Sequence, residues 1–168
     1  TSPSGRARHF EALGADEDAM QEHERAANDA RDDGDLNAVL EHLRSAFTLA
    51  HDPLQQFSFG ARIIEQVLLP QLRCEEALAL LETMGDPPPP SMRATWHMLR
   101  AAVLQRDELY EQALQEVKLL FEYAAPEEHL LQTRGHKMRG DQVAELGRSE
   151  ESLHEYNLAI ERLGVVPD

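Results

Sequence analysis

The 168-residue chain is predicted to be all-α, with about four antiparallel helix pairs stacked in an array. Apolar residues recur at steps of three and four, which places them on one face of a helix. Leucine and alanine are abundant and β-branched residues are few, which disfavours strands. Beyond Pro3, every proline falls at an expected helix boundary. Proline does least harm there, since inside a helix it costs about 3 kcal/mol.

The first helix pair is predicted over residues 16–52, after a polar and flexible lead at residues 1–15. Three acidic residues at 16–18 suit the positive N-terminal end of a helix. The turn between the two helices falls at residues 32–35, and Asp35 is the expected N-cap of the second helix.

The second pair is predicted over residues 53–86. Pro53 opens its first helix, which carries Leu54 on its inward stripe, and Pro70 ends that helix. The second helix of this pair is short and is expected over about residues 72–84.

The third pair is predicted over residues 91–126. It follows a proline run at residues 86–90, which is expected to be non-helical and to act as a stiff spacer. Both helices of the pair have one apolar face, which neither could bury alone. The first helix carries Trp96, Leu99 and Val103 on that face, and the second carries Leu109, Ala113, Val117, Leu120 and Ala124.

The fourth pair is predicted over residues 127–167. Gly135 and Gly140 are expected to weaken its first helix, and Ser149 is the expected N-cap of its second. The second helix is expected to turn four side chains inward: Leu153, Tyr156, Ile160 and Leu163.

The four pairs repeat along the chain. Small residues at matched positions indicate where two helix backbones cross closely, and a helix-turn-helix period in the thirties is typical of a solenoid. One small residue early in each second helix aligns the pairs at separations of 39, 36 and 39 residues: Ala38, Ala77, Ala113 and Ser152.

With these repeats the chain resembles the tetratricopeptide repeat (TPR) family, in degenerate and slightly long form. The resemblance is carried by Trp96, Leu99, Tyr110, Ala113 and Pro126 in the third pair and by Leu146, Gly147, Ser152, Tyr156, Ala159 and Pro167 in the fourth. It implies a right-handed α-solenoid whose first helices line a concave groove that binds peptide or protein. A related helical-pair array, such as an armadillo-like one, is the alternative.

Charge and composition limit the classes of partner and the cellular location that are expected. The formal net charge of -15 disfavours nucleic acid and anionic membrane, and it favours basic partners. No apolar run approaches the length of a membrane span. The single cysteine, Cys74, excludes an internal disulfide and a multi-cysteine zinc site. A cytoplasmic location is expected.

No pattern of catalytic, cofactor-binding or metal-ligating residues stands out, so the chain is expected to be a non-enzymatic protein without cofactor or metal. The HExxH, GxSxG and phosphate-loop motifs are absent, as is GxGxxG after a strand. Adjacent carboxylates such as Glu75 and Glu76 point along a helix surface rather than across a cleft.

The candidate site is a basic surface on the first helices of the third and fourth pairs, which contrast with glutamate-rich second helices. Arginine suits such a site because its planar fork grips a carboxylate with two bonds. Intramolecular pairing with the surplus acids is the alternative. Six residues are predicted to face a common concave groove and bind an acidic segment of a partner: Arg93, His97, Arg100, Arg134, His136 and Lys137.

These observations favour a scaffold or adaptor that binds a protein or peptide. The alternative function is a regulatory sensor that takes a small anionic ligand in the basic part of the groove. Helical arrays need a polar terminal cap, because the last unit otherwise leaves an apolar stripe exposed. Self-association through an end of the array, as a homodimer, is therefore expected as well.

Overall fold

The computed structural model describes residues 3–6, 16–85 and 88–164. Most of the predicted lead, the start of the proline run and Pro167 lie outside the described residues. Within those residues the chain forms eight α-helices of ten residues or more and no strand, which confirms the all-α prediction. The helices are α1 Asp16–Asp32, α2 Leu36–Leu49, α3 Pro53–Ile63, α4 Cys74–Thr83, α5 Arg93–Arg106, α6 Tyr110–Tyr123, α7 His129–Glu145 and α8 Ser149–Leu163.

The helices form antiparallel pairs within two compact units, Thr1–Met84 and Gly85–Asp168. In the first unit α1 packs on α2, and α4 packs on a π-helical extension of α3 at Ile64–Leu68. In the second unit α5 packs on α6, and α7 packs on α8. Each unit therefore holds two helix pairs.

In all four pairs, the two helices are connected by the same type of turn. Each turn contains one residue in the left-handed backbone conformation. In two turns this residue is a glycine, Gly34 or Gly147, and in the other two it is Leu72 or Glu108. The N–H of the next residue donates to a carbonyl five residues back, which satisfies a free carbonyl at the helix end. The four hydrogen bonds are each 2.9 Å long and join Asp35 to Ala30, Arg73 to Leu68, Leu109 to Leu104 and Arg148 to Val143.

This common turn sets the register of the second helices and corrects one prediction. In the first pair, the first N–H that donates to the N-cap carbonyl belongs to Val39. Val39, and not Ala38, is therefore the residue of the first pair that is equivalent to Ala77, Ala113 and Ser152. Val39 is fully buried, whereas Ala38 is only half-buried. The same bond is made in the other pairs by Ala77, Ala113 and Ser152.

Helix ends agree with several sequence-based expectations. The Asp35 side chain caps α2 by accepting from two backbone N–H groups, and Pro53 starts α3. Two expectations are wrong. Arg148, not Ser149, occupies the N-cap of α8, and it makes no side-chain capping bond. Pro90 begins a short 3-10 turn, so the proline run is not wholly non-helical; proline is tolerated there because the first helical N–H has no partner.

The cores of both units consist largely of the predicted apolar stripes, with exceptions at two helix starts and along α8. Trp96, Leu99 and Val103 are buried on α5, and Val117 and Leu120 are buried on α6. By contrast, Leu54 and Leu109 are exposed, against the prediction. Leu109 is the N-cap residue of α6 and Leu54 lies in the first turn of α3, where the chain is still leaving the preceding loop.

The facing of α8 is the largest correction. Its predicted inward residues Leu153, Ile160 and Leu163 are exposed, and Tyr156 is half-buried. The buried side of the helix consists of Ser152, Glu155 and Ala159. The helix therefore turns its large aliphatic side chains outward.

Gly135 and Gly140 do not interrupt α7, which is continuous. They let aromatic rings approach its backbone. A Cβ atom at position 135 would lie 2.9 Å from the ring of Phe121, and one at position 140 would lie 2.7 Å from the ring of Tyr156. The Tyr156 hydroxyl also donates to Asp141 at 2.7 Å, and this bond, with burial, raises the pKa of Tyr156.

Candidate functional site

Two of the predicted basic residues converge on a nearly buried carboxylate in the second unit. His97 Nδ1 lies 2.7 Å from Oε2 of Glu116, and Arg100 Nε lies 3.5 Å from Oε1 of the same residue. The side chain of Glu116 is only 12% exposed. The imidazole and the guanidinium group on α5 therefore act as partners of a carboxylate on α6.

Aromatic rings surround this cluster. The His97 ring stacks on Tyr123 with a centroid distance of 5.5 Å and an angle of 6°. The Arg93 guanidinium lies 5.4 Å from the centre of the Tyr123 ring, and Arg100 lies 5.4 Å from the centre of the Trp96 ring. Cations over aromatic faces are attracted by the ring quadrupole, so both arginines are held against the protein surface.

The same arrangement recurs in the last pair. His136 Nδ1 lies 2.8 Å from Oε2 of Glu155, and Arg139 Nε lies 3.5 Å from Oε1. The Glu155 side chain is buried, and the Phe121 ring packs against His136 with its centre 4.6 Å away. The histidine, the arginine and the glutamate of this cluster each lie 39 positions after their counterparts in the third pair, as His136 does after His97.

The remaining predicted basic residues lie elsewhere. Lys137 forms an ion pair with Asp141 on the same helix at 2.8 Å, and a guanidinium nitrogen of Arg134 lies 3.9 Å from the sulfur of Met98. Both side chains are exposed. The six residues thus do not form one cluster, and a common acid-binding surface stays a prediction. Glu116, Glu155 and Arg139 were missed as members of the clusters.

The first unit contains a separate open groove with a cavity of about 510 Å³. One side is a stripe of α1 and the other is a stripe of α3, the first helices of the two pairs. Met20 and Phe59 are buried at its base. The residues that line it are Glu17, Met20, Gln21, Glu24, Arg25, Asn28, Gln55, Ser58 and Phe59.

Hydrogen bonds within the groove engage some of its polar groups, and others take no part in those bonds. Arg62 donates to Glu24 at 2.6 Å and to the Asn28 carbonyl oxygen at 2.8 Å. The Gln21 amide nitrogen donates to Glu17 at 3.1 Å. The Asn28 amide nitrogen and the Gln21 carbonyl oxygen are not used in these bonds. The lining therefore offers both donors and acceptors.

Behind the groove, Arg25 is tied to a buried glutamate. Glu22 forms ion pairs with Arg25 and, at 3.0 Å, with Arg6. Burial opposes ionisation of Glu22, but hydrogen bonds and charge from Arg6 and Arg25 outweigh burial and hold the pKa of this carboxyl below its usual value. Nearby, His23 Nδ1 lies 3.0 Å from His42 Nδ1.

Within residues 3–6, 16–85 and 88–164, no three His, Cys, Asp or Glu side chains are grouped so that they could hold a metal ion. In the same part of the chain, no helix combines the length and the apolar character needed to cross a membrane. Cys74 is a buried cysteine.

The fold and these surfaces define an all-α protein of antiparallel helix pairs with a polar groove between first helices. MamA of AMB-1 has a similar structure, with a TM-score of 0.61 over 99% of this chain and 100% of the MamA chain. The two sequences are 13% identical, so the likeness shows the fold alone, which in MamA is a TPR-like helical solenoid. No family model matches the chain, and no curated protein matches it.

Proposed function

We propose that the chain is a non-catalytic, TPR-type module that binds an extended segment of a partner protein in the groove between α1 and α3. The observation that carries the proposal is the cavity of about 510 Å³ with a polar lining over an apolar base. Concave sites of this size, with a few placed polar groups, are typical ligand sites. The fold likeness to MamA and the four identical turns support assignment to TPR-like arrays.

The lining fits a peptide main chain. A peptide presents one N–H donor and one carbonyl acceptor at each residue. Side-chain amides supply the complementary groups, because each has both a donor and an acceptor. Gln21, Asn28 and Gln55 are such residues on the two walls of the groove, and Ser58 adds a hydroxyl.

The length of the groove sets the size of the bound segment. Glu17 and Asn28 are eleven positions apart on α1, which corresponds to about 16 Å at 1.5 Å per residue. An extended peptide advances about 3.3 Å per residue, so the groove accommodates about five residues.

A phage-displayed library of random dodecapeptides tests this function. Selection on the wild-type protein is expected to enrich peptides whose binding is lost in the double variant Asn28→Ala with Gln55→Ala. The matched control is Asn37→Ala with Gln56→Ala, since neither residue lines the groove and Gln56 neighbours Gln55 on the same helix. Enriched peptides that bind both double variants equally would contradict the proposal.

A second candidate surface is the basic one predicted in the second unit. Arg134 and Lys137 support it, because both are exposed on α7 within one turn of each other. We retain the proposal that this surface binds an acidic segment. The double charge reversal Arg134→Glu with Lys137→Glu is expected to abolish binding of a polyglutamate probe. Unchanged binding would end the proposal.

The alternative function, a sensor for a small anion, has no support from the geometry. His97, Arg100 and His136 already contact Glu116 or Glu155, and those carboxylates would repel an anion. Homodimerisation through the outer face of α8 is retained as a proposal. Its support is that Leu153 and Ile160, which lie seven positions apart, are both exposed on that helix.

A further inference from the structure

We propose that the groove of the first unit selects a segment that places a lysine or arginine side chain beside Glu17. This inference rests on the proposed peptide-binding function and concerns the same groove. It follows from the charges that line the cavity, from their partners, and from the distribution of charge between the two ends of the groove.

Three charged residues line the cavity, and two of them have a partner of opposite charge. Glu24 is paired with Arg62 at 2.6 Å, and Arg25 is paired with Glu22. Glu17 differs, because within the described part of the chain its carboxylate accepts a hydrogen bond from the neutral amide of Gln21 at 3.1 Å. Its carboxylate is therefore the group in the groove that a cation from a ligand would satisfy.

The two ends of the groove differ in charge. Around Glu17, the first turn of α1 also carries Asp16 and Asp18, and within the described residues Asp16 contacts His51 at 3.2 Å. At the other end, about 16 Å away along α1, the Arg62 guanidinium lies against Asn28. A bound segment therefore has a preferred direction, with its cationic residue at the α1 N-terminal end.

The charge of the whole chain acts in the same direction. A formal net charge of -15 attracts cationic segments and speeds their encounter at low salt. An acidic segment in the groove would face the carboxylates of Glu17 and Glu24. To gain a cation it would have to displace Arg25 from Glu22 or Arg62 from Glu24. A basic segment needs no such rearrangement.

The experiment uses mixtures of acetylated, amidated octapeptides with Lys, Arg, Gln or Glu fixed at one position and neutral residues elsewhere. Affinity is measured by fluorescence anisotropy on the whole chain. We expect the Lys and Arg mixtures to bind about two- to fivefold more tightly than the Gln mixture at one position, the range for a single exposed ion pair. The preference should be lost in Glu17→Gln and reversed toward Glu in Glu17→Lys.

The control is Glu82→Gln, which removes an exposed carboxylate of the same unit outside the groove and should leave the preference unchanged. A Gln or Glu mixture that binds the wild type as tightly as the Lys mixture at every position would overturn the inference. If binding of those mixtures were still lost in the Asn28→Ala, Gln55→Ala protein, the peptide-binding function would stand. If all mixtures bound that protein and the wild type alike, the proposed function itself would fail.

Discussion

His97 and Glu116 form a contact between α5 and α6, with Nδ1 and Oε2 2.7 Å apart and the two residues 19 positions apart in sequence. The contact recurs with the same sequence separation at His136 and Glu155, where the distance is 2.8 Å. Each buried carboxylate also has an arginine three residues after the histidine. A buried charge is tolerated only when it is paired and hydrogen-bonded, so both helix pairs depend on these contacts.

Glu116→Gln should therefore lower the free energy of unfolding by about 1–3 kcal/mol, because a buried ionic hydrogen bond is lost. The matched control is Glu111→Gln on the same helix, whose ion pair with Arg148 is exposed and should be worth less than about 1 kcal/mol. Urea denaturation measures both. Equal effects of the two substitutions would mean that Glu116 is not a structural charge.

Stability in acid should depend on Glu22. Its pKa is lowered from 4.5 in the folded protein, so its contribution is present above about pH 4.5 and is lost as pH falls through the folded pKa. Glu22→Gln lacks this group, and its urea midpoint should fall less on acidification than that of the wild type. The exposed control Glu82→Gln should behave like the wild type. The same fall in all three proteins would refute the assignment.

Gly140→Ala should destabilise the protein by about 1–3 kcal/mol, since the new methyl group would overlap the Tyr156 ring. The sign is informative, because glycine to alanine inside a helix normally stabilises by about 0.5–1 kcal/mol. In a Tyr156→Ala background the same substitution should stabilise. Unfolding free energies of the four proteins complete the cycle, and additive effects would exclude the overlap.

Substitutions at two of the turn residues should change the stability of the protein in opposite directions. Leu72 has φ of 57° and is exposed, so Leu72→Gly should raise stability by about 0.5–1 kcal/mol by removing left-handed strain. Gly147 has φ of 76° with open space around it, so Gly147→Ala should lower stability by about 1 kcal/mol through the backbone alone. Melting temperatures that move in the same direction would contradict this account of the turns.

Self-association should depend on the outer face of α8. Leu153, Ile160 and Leu163 are between 52% and 65% exposed, and a second copy could cover the same face in a two-fold arrangement. Sedimentation velocity at tens of micromolar should show a dimer that Leu153→Glu with Ile160→Glu converts to monomer. The control Leu54→Glu changes an exposed leucine of the other unit. A wild-type monomer would rule out dimerisation.

Local sequence predicted most helices because their boundaries have local causes, as with Pro53 and the Asp35 cap. The local sequence did not predict which face of α8 is buried, because an apolar stripe on a helix does not show whether another helix packs against that stripe. Glu155 faces inward there because His136 and Arg139 on α7 receive it. The left-handed turns at Leu72 and Glu108 were missed as well, since neither residue type favours that conformation.

The candidate sites were predictable to different degrees. A histidine, an arginine three residues later and a glutamate 19 residues after the histidine occur twice in the sequence, so the clusters at Glu116 and Glu155 had a visible signal. The groove of the first unit had none. Gln21, Asn28 and Gln55 are neither apolar nor charged, and only the packing of the first unit brings them to one cavity.

The recurring separations also bear on how such a chain can grow. A second copy of residues 110–148, inserted after Arg148, would place the new Glu116 19 positions after His136 and 16 after Arg139. The copied histidine and arginine would in turn reach Glu155. Duplication of one period leaves every buried carboxylate with its own histidine and arginine, so the contacts of the buried carboxylates in the last two helix pairs set no limit on the number of repeats.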